Sequence, residues 1–396
     1  MRESILIHYH EINLKRGNRG WFESRLQQHI QSLLRDLPHD GVARPGGGME
    51  ISLSAQSPAA EIKRRLGWVS GIANYAHAWH VPASMDEIRA ALAVILDNLR
   101  FSSFRIDTRR GNKSFPLNSQ QINEELGRFV QERSGAAVRL EHPELTCFVE
   151  ITGRRAFIYT LKLPGLGGLP PRTGGRVLCL ISGGIDSPIA AFRMMRRGGH
   201  VHFVHFHSYP QTSMESQDKV RRILQILSRY QLESRLALVP FGGLQREIVA
   251  FAPPQLRVLL YRRFMIRVSE LIALQQGTPA LVTGDSLGQV ASQTMENLCA
   301  VSAAARLPLF RPLIGHDKEE VIRTARQIGT YEISILPDQD CCTMFVPRHP
   351  ETMASAAQLE NAEVSLDVPR LVQEAAAGTV HETIEPDFRL RPAGSA

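Results

Sequence analysis

The stretch Val177–Pro188 constrains the fold of this chain more than any other part of it. Residues 177–181 form a short apolar run, which is typical of a strand buried on both faces of a parallel sheet. The run ends at Ser182, and the next residues, Gly183 and Gly184, permit positive φ and a close approach of a ligand to the backbone. A helix is expected to follow. The N–H groups of the turn and of the helix N-terminus then predict a phosphate site.

The polar residues of this loop narrow its chemistry. Asp186 or Ser187 is expected to cap a helix that begins at Pro188. The loop lacks the lysine of G-x-x-x-x-G-K-[ST] and the spacing of G-x-G-x-x-G, which argues against a Walker-type ATPase and a dinucleotide site. Ser-Gly-Gly-x-Asp-Ser at 182–187 instead resembles the PP-loop of ATP pyrophosphatases, which adenylate a substrate and release pyrophosphate. Asp186 is a candidate Mg²⁺ ligand; a cap role is the plainer alternative, and the two are compatible.

Strand and helix patterns alternate along the second half of the chain. Repeated βα units predict a doubly wound parallel sheet with helices on both faces, and its ligand lies at the carboxyl ends of the strands. His205 and Phe206 end the second strand, where adenosine is expected, and the loop 283–294 is expected to complete the nucleotide pocket. The predicted strands are 177–181, 200–207, 234–241 and 280–283, and the predicted helices are 188–197, 215–230, 256–275 and 317–328.

The first half reads as an α+β region with basic segments. Residues 1–55 predict a small α+β unit, in which strand 5–12 precedes the basic turn 15–19. Within 58–163, a basic loop at 109–116 follows the strand 103–108. Cations combined with an aromatic ring, Phe115, are typical of an RNA-binding surface, with a solvated turn as the alternative. The candidate RNA-binding cations are Arg105, Arg109, Arg110 and Lys113.

Charge and composition limit the kind of partner, the number of domains and the cellular compartment. Residues 1–175 contain 23 Lys and Arg against 17 Asp and Glu, whereas residues 176–396 contain 23 against 22. This excess favours a polyanion partner for the first half, with an ordinary solvated surface as the alternative. A length of 396 residues predicts two or three domains, and the Gly- and Pro-rich segment 164–175 predicts a linker. No signal peptide and no apolar run of roughly 18 residues is found, so a cytoplasmic protein is expected.

Five cysteines are too few for a disulfide framework and indicate a reducing compartment. Cys147 and Cys179 lie inside predicted strands and are expected in the core. The adjacent pair Cys341 and Cys342 has no Cys-x-x-Cys partner motif, so a zinc or iron–sulfur site has weak support. One thiolate of this pair is a candidate persulfide carrier, and a purely structural role is an equal alternative.

Several motifs in order resemble the tRNA 4-thiouridine synthetase family, also called tRNA sulfurtransferases and linked to thiamine synthesis. The resemblance implies a ferredoxin-like domain at 1–57, a THUMP RNA-binding domain at 58–163, a linker at 164–175 and a PP-loop domain at 176–396. One departure is His10 in place of the glycine usual before Glu11. The motifs that carry the resemblance are Glu11–Arg19, Lys113–Asn118, Leu180–Ser187, Val282–Gln293, Leu309–Ile314 and Asp317–Glu319.

The resemblance implies a reaction on tRNA in which ATP adenylates O4 of uridine 8 and a persulfide sulfur displaces AMP. Asp186 and Lys318 match residues tied to adenylation, and Cys341 or Cys342 matches the sulfur-transfer cysteine. The loop residues Ser182, Gly183, Gly184 and Ser187 would hold the phosphates of ATP. The other ATP-contacting positions carried over from the family are Leu180, Ile181, His205, Phe206, Arg262, Gly284 and Gln293.

Long members of the family end in a rhodanese domain that carries the persulfide, and this sequence has no room for one. We therefore expect sulfur from a partner, a cysteine desulfurase acting directly on Cys341/Cys342, with a separate rhodanese or an iron–sulfur cluster as weaker options. The oligomeric state stays open, a homodimer included. Other tRNA reactions of PP-loop enzymes, such as 2-thiolation, and a catalytically silent tRNA-binding protein are the competing hypotheses.

Overall fold

The computed structural model describes residues 1–45, 47–97, 99–337 and 350–390. The chain divides into two compact units, 1–170 and 171–396, at a point inside the predicted linker. Within the described residues, no helix combines the length and the apolar character needed to cross a membrane.

The first unit is built on one mixed sheet, which has nine strands among the described residues in the order β2-β3-β1-β4-β8-β7-β5-β6, with β9 beside β4. Its strands are β1 Arg2–His8, β2 Gly41–Ala43, β3 Met49–Ser52, β4 Asn74–Pro82, β5 Ser103–Arg110, β6 Ala137–Val138, β7 Leu145–Thr152, β8 Arg155–Tyr159 and β9 Leu163–Pro164. Its α-helices are α1 Arg19–Leu33, α2 Ala59–Leu66, α3 Met85–Leu96 and α4 Ser119–Ser134.

Strand β4 joins the two halves of this sheet, since it pairs antiparallel with both β1 and β8. Strand β4 was not predicted, because its apolar residues face both sides of the sheet and its sequence shows no simple alternation of apolar and polar residues. Two boundaries also differ from the prediction. The first strand ends at His8 and residues Glu11–Asn18 form a 3₁₀ segment, and β5 continues through Arg110, so that Arg109 and Arg110 belong to a strand rather than to a loop.

The second unit confirms the predicted doubly wound α/β fold. Its strands are β10 Arg176–Leu180, β11 His200–His207, β12 Ser234–Pro240, β13 Leu281–Val282, β14 Leu309–Phe310 and β15 Val380–Ile384. Among the described residues the sheet has the order β14-β13-β10-β11-β12-β15, and only β15 pairs antiparallel. Its helices are α5 Asp186–Arg196, α6 Glu215–Leu227, α7 Gly242–Phe251, α8 Arg257–Gln275, α9 Met295–Ser302, α10 Lys318–Ile328, α11 Tyr331–Ser334, α12 Ala356–Glu363 and α13 Val368–Ala377.

Helix α8 is the centre of the hydrophobic core of this unit. Leu260, Tyr261 and Phe264 are fully buried, and they belong to one apolar cluster with Leu178 of β10 and Val204 of β11. Because β10 is a central strand, the loop that follows it emerges at the middle of the sheet edge where the carboxyl ends of the parallel strands meet. This edge is the expected ligand site of a doubly wound fold.

Candidate active site

The loop after β10 is curled by its two serines. Ser182 N–H donates to Ser187 Oγ at 2.9 Å, and Gly184 N–H donates to Ser182 Oγ at 3.3 Å. Neither Gly183 nor Gly184 has a positive φ, so the first of the two predicted reasons for these glycines is wrong. The second predicted reason agrees with the exposure of Gly184, which leaves its backbone accessible to a ligand.

Asp186 is the first residue of α5 and makes no side-chain cap, so the predicted cap role is wrong for Asp186 and for Ser187. Its carboxylate accepts hydrogen bonds from Lys318 Nζ at 2.8 and 2.9 Å and from Gln289 Nε2 at 2.9 Å. Lys318 begins α10, which Asp317 caps by accepting from Glu320 N–H. The fold thus joins two predicted catalytic residues that lie 132 positions apart. Sequence reasoning missed Gln289, although it lies in the polar loop 283–294.

A cavity of about 290 Å³ lies between this loop, α8 and the loop after β13. Eight predicted residues line it: Leu180, Ser182, Gly184, Asp186, Ser187, Arg262, Gly284 and Gln293. Val258, Met265 and Ile266 of α8 add an apolar wall. The cavity therefore has an apolar side suited to a base and a polar side, around Asp186 and the glycine loop, suited to phosphates.

Four predicted ATP-binding residues are not in the lining of this cavity: Ile181, Gly183, His205 and Phe206. His205 is 2% exposed, and its Nδ1 lies 3.0 Å from the carbonyl oxygen of Ile181. Phe206 packs edge-on against Phe241 in the core. A larger cavity of about 560 Å³ between α7 and α13 is lined by none of the predicted site residues.

Gly284 brings the two loops together. A Cβ atom at this position would lie 2.7 Å from the backbone nitrogen of Ser187 and 2.8 Å from its Cα, distances at which one backbone must move. A residue with a side chain therefore cannot take this position without separating the loop after β13 from the loop after β10. This is a packing reason for a glycine that the sequence analysis placed among the ATP contacts.

A buried carboxylate, Asp285, was not predicted from the sequence. It is 4% exposed and accepts hydrogen bonds from Arg262 Nη2, from Arg311 Nε at 3.0 Å and from Thr283 Oγ1 at 2.8 Å. Burial alone would raise the pKa of Asp285, but Arg262, Thr283 and Arg311 hold that pKa below its usual value. Asp285 is therefore ionised at neutral pH.

The described part of the chain contains no group of three His, Cys, Asp or Glu side chains arranged to hold a metal ion. Asp186 is the predicted metal ligand that lines the cavity, and its carboxylate already has Lys318 and Gln289 as partners.

The cysteines separate into two groups. Cys147 and Cys179 are fully buried, and burial raises the pKa of the Cys147 thiol to about 12 and that of Cys179 further still, as expected for core thiols. Cys299 is exposed on α9. Cys341 and Cys342 lie outside the described residues. The chain that leads to them is held at α11, where Ser334 Oγ donates to Gly184 O at 3.3 Å and Lys219 Nζ donates to Leu336 O at 2.6 Å.

In the first unit, the candidate RNA-binding residues differ in their surroundings. Arg109 and Lys113 are exposed. Arg105 donates to Thr146 Oγ1 and to the carbonyl oxygen of Leu140. Arg110 donates to the carbonyl oxygens of Phe115 and Leu117, so that part of its guanidinium already binds the loop that follows its own strand. The expectation that Phe115 offers an aromatic ring to RNA is wrong, because Phe115 is 7% exposed and packs in the core between α4 and the sheet.

Comparison with known proteins identifies the family. A profile described as "Thiamine biosynthesis protein (ThiI)" matches residues 172–368, the "ThiI ferredoxin-like domain" matches 4–76 and the "THUMP domain" matches 82–161. A probable tRNA sulfurtransferase of Thermus thermophilus is 46% identical over 92% of this chain and 89% of its own length. This chain belongs to the ThiI family.

Other members and a solved structure agree with this assignment. A probable tRNA sulfurtransferase of Moorella thermoacetica is 40% identical to this ThiI-family chain, over 98% of this chain and 99% of its own length. A 4-thiouridine synthetase, solved as an RNA complex with bound ATP, superposes with a TM-score of 0.88 at 33% identity and covers 97% of this chain. A Pyrococcus horikoshii protein at 24% identity, with a TM-score of 0.65, shows the same fold. These matches confirm the resemblance drawn from the sequence motifs.

Proposed function

We propose that this chain is a tRNA uracil 4-sulfurtransferase, which uses ATP to activate uridine 8 of tRNA and replaces its O4 with sulfur. The observation that carries the proposal is the Asp186–Lys318 contact at the polar end of the nucleotide cavity, beside the curled loop 182–187. The names of the relatives and the RNA- and ATP-bound structural neighbour support the same activity.

In the first step, O4 of the uracil attacks the α-phosphorus of ATP, and the bond from that phosphorus to the bridging oxygen breaks to release pyrophosphate. Charge grows on the departing pyrophosphate, where donors that are already oriented lower the barrier most. We assign this role to the Lys318 ammonium and to the N–H groups of the loop 182–187 other than those of Ser182 and Gly184, which donate to the loop's own serines. Asp186 holds Lys318 in position before ATP arrives.

A magnesium ion fits this site only as a companion of ATP. Mg²⁺ is commonly held by one or two carboxylates together with phosphate oxygens, and Asp186, at the phosphate end of the cavity, would hold it beside its bonds to Lys318 and Gln289, because its side chain is still 22% exposed. Bound there, the ion would neutralise phosphate charge. Asp285 is committed to two arginines and is not available as a second ligand.

In the second step, we assign sulfur transfer to Cys341 or Cys342. The terminal sulfur of a cysteine persulfide attacks C4, and the C4–O bond breaks as AMP leaves. A second thiol then cleaves the S–S bond, which leaves sulfur on the uracil and a disulfide that an external thiol reduces. We propose a cysteine desulfurase as the sulfur donor and the cytoplasm as the compartment. The family description also links this sulfur to thiamine synthesis.

The first unit is proposed to bind tRNA through exposed cations, of which Arg109 and Lys113 are the best placed. The match to the THUMP domain and the RNA-bound neighbour support this assignment. Nothing in the described part of the chain favours 2-thiolation or a catalytically silent RNA-binding role over 4-thiolation.

The test is a reconstituted thiolation reaction with tRNA, ATP, cysteine and a desulfurase, followed by mass spectrometry of the tRNA nucleosides. The intact chain should form 4-thiouridine. Asp186→Asn should lose both pyrophosphate release and product, whereas Cys341→Ser with Cys342→Ser should lose product only. Undiminished product from the double cysteine variant would contradict the sulfur-transfer assignment, and no 4-thiouridine from the intact chain would contradict the proposed function.

A further inference from the structure

The buried carboxylate of Asp285 belongs to one wall of the nucleotide cavity. Asp285 and Arg262 both line the cavity, and Arg262 also donates through Nη1 to the carbonyl oxygen of Ser292 at 2.7 Å. Gln293, a predicted ATP contact, donates weakly to Asp285 at 3.4 Å. One carboxylate thus connects α8, the loop 283–294 and the segment that follows β14.

The guanidinium of Arg262 is held from two sides. Within the described residues it donates one N–H from each terminal nitrogen, to Asp285 and to Ser292 O. An arginine has five N–H groups in a fixed plane, so these bonds set the orientation of the plane and leave three N–H groups for a ligand in the cavity. A side chain of this length is otherwise free to rotate, and fixing it before binding removes that entropic cost from the binding step.

We propose that Asp285 is a positioning residue for the adenine nucleotide: it fixes the Arg262 guanidinium, and with it the loop 283–294, in the orientation that ATP requires. The inference rests on the proposed function only for the identity of the nucleotide. Arg311, held by Asp285 and by its own bond to Ser302 Oγ at 2.7 Å, anchors the same carboxylate from the far side.

A purely electrostatic role for Asp285 predicts the opposite result. Two arginines and one carboxylate leave one net positive charge in this wall. Removal of the carboxylate charge would leave two, which attracts the triphosphate more strongly. If Asp285 only neutralises the charge of the two arginines, Asp285→Asn lowers the KM for ATP. If it positions Arg262, the same change raises that KM, since the guanidinium loses the acceptor that orients it.

A second buried carboxylate that binds arginines of α8 provides a matched control. Glu363 of α12 is also buried and accepts from two arginines of α8, Arg263 at 2.7 and 3.0 Å and Arg267 at 2.7 and 2.8 Å. Glu363 does not line the nucleotide cavity. Glu363→Gln therefore breaks a similar buried cluster, with a similar loss of stability, at a distance from the nucleotide.

The experiment measures ATP affinity directly by calorimetry, without tRNA, and the KM and kcat of pyrophosphate release with tRNA. Asp285→Asn should raise both Kd and KM for ATP by about tenfold or more, with kcat changed by less than about threefold, on the scale of a lost hydrogen bond to a charged group. Glu363→Gln should lower the melting temperature and leave Kd and KM unchanged. An unchanged or lower KM in Asp285→Asn, or an equal rise in Glu363→Gln, would overturn the proposal.

A double-mutant cycle tests whether Asp285 acts through Arg262. Asp285→Asn should add little to the Kd of an Arg262→Gln chain, because the residue that it positions is already gone. Additive effects would contradict the proposal. If Asp285→Asn does not fold, Thr283→Val removes one donor to the same carboxylate and should raise the Kd about two- to fivefold; no rise would count against the proposal.

Failure of this inference and failure of the proposed function give different results. If the variants change ATP affinity as expected but the intact chain forms no 4-thiouridine, the role of Asp285 is supported and the proposed reaction is contradicted. If the intact chain thiolates tRNA but the Asp285→Asn variant binds ATP normally, the proposed reaction is supported and the positioning role of Asp285 is contradicted.

Discussion

At the scale of single residues, the site depends on a few contacts between distant parts of the chain. The carboxylate of Asp186 accepts hydrogen bonds from Lys318 and Gln289, and Gly284 packs against the backbone of Ser187. Each contact joins the loop after β10 to a segment about a hundred or more residues later. Changes at these positions should therefore affect the nucleotide site before they affect the fold.

Lys318→Met should reduce the rate of pyrophosphate release by about a hundredfold, because it removes the ammonium aimed at the leaving group. The measurement is pyrophosphate release with ATP and tRNA. Glu319→Gln, an exposed neighbour on the same helical turn, is the control and should stay within about twofold. A Lys318→Met enzyme of near-normal rate would place the donor elsewhere.

Gly284→Ala should weaken ATP binding and lower the free energy of unfolding by about 1–3 kcal/mol, since the new Cβ meets backbone atoms that cannot rotate away. Gly315→Ala is the matched control: nothing lies within 4 Å of its added Cβ, and its φ is not positive. Denaturant melts and ATP calorimetry measure both effects. Equal behaviour of the two variants would show that the loop contact is unimportant.

The sequence predicts some residues of the site and not others for a physical reason. The loop 182–187 is local, so its strand, glycines and helix can be recognised from neighbouring residues alone. The Lys318–Asp186 contact and the Asp285 cluster depend on tertiary packing, and Lys318 could be singled out only through the family resemblance. Phe115 was misjudged because an aromatic residue between cations has the same local pattern whether it faces solvent or the core.

At the scale of elements, β11 and α11 both contact the nucleotide loop and the strand end before it: His205 Nδ1 lies 3.0 Å from Ile181 O, and Ser334 Oγ donates to Gly184 O. Strand β11 was predicted with its observed ends, His200–His207, and its apolar residues Val201, Phe203, Val204 and Phe206 are buried. Helices α12 and α13 and strand β15 were not predicted, although the two helices carry local start signals, the caps Ser355 and Asp367. Their place is set by burial against α8 and β12.

The two ends of β11 carry histidines that the fold keeps neutral. Burial, with smaller contributions from nearby arginines and histidines, lowers the pKa of His200 to about 3 and that of His207 to about 4. The unfolded chain binds these protons near pH 6.5, and the folded chain does not. The free energy of unfolding should therefore be level above about pH 7 and fall as the pH decreases from 6.5 towards 4.

Urea melts between pH 7.5 and pH 4.5 would measure this slope, which has an upper limit of about 1.4 kcal/mol per pH unit for each histidine. His200→Gln and His207→Gln should each make the dependence shallower. His381→Gln, at an exposed position of β15, should not. A pH dependence that is unchanged in the first two variants would contradict the linkage.

Helix α11 lies between the nucleotide loop and the chain that leads to Cys341 and Cys342. Lys219→Met, which removes the bond to Leu336 O, should lower 4-thiouridine formation by about tenfold and change pyrophosphate release by less than about threefold. Arg222→Met, exposed on the same helix α6, is the control. Parallel loss of both steps would indicate general damage to the unit instead.

At the scale of the whole molecule, the two units differ in charge as they differ in fold. The excess of cations belongs almost entirely to residues 1–175, and the nucleotide cavity belongs to the second unit. RNA affinity and ATP affinity should therefore respond to different conditions. Salt should weaken the binding of tRNA much more than the binding of ATP.

Arg109→Gln and Lys113→Gln should each weaken tRNA binding and reduce the slope of log affinity against log salt by about one. Titrations of labelled tRNA at several salt concentrations measure both quantities. Arg389→Gln, 92% exposed in the second unit, should change neither. An unaltered slope in the first two variants would remove these residues from the tRNA surface.

The antiparallel strand β15 has a consequence for synthesis of the protein on the ribosome. Its partner β12 ends at residue 240, and β15 begins at residue 380, so the outer edge of β12 has no backbone partner while the intervening 139 residues are made. An unpaired edge is a template for pairing with other chains. Once β15 arrives, Arg221 bonds to Glu382 and the edge is covered. The edge of β12 is therefore open to such pairing in the nascent chain until this one strand is added.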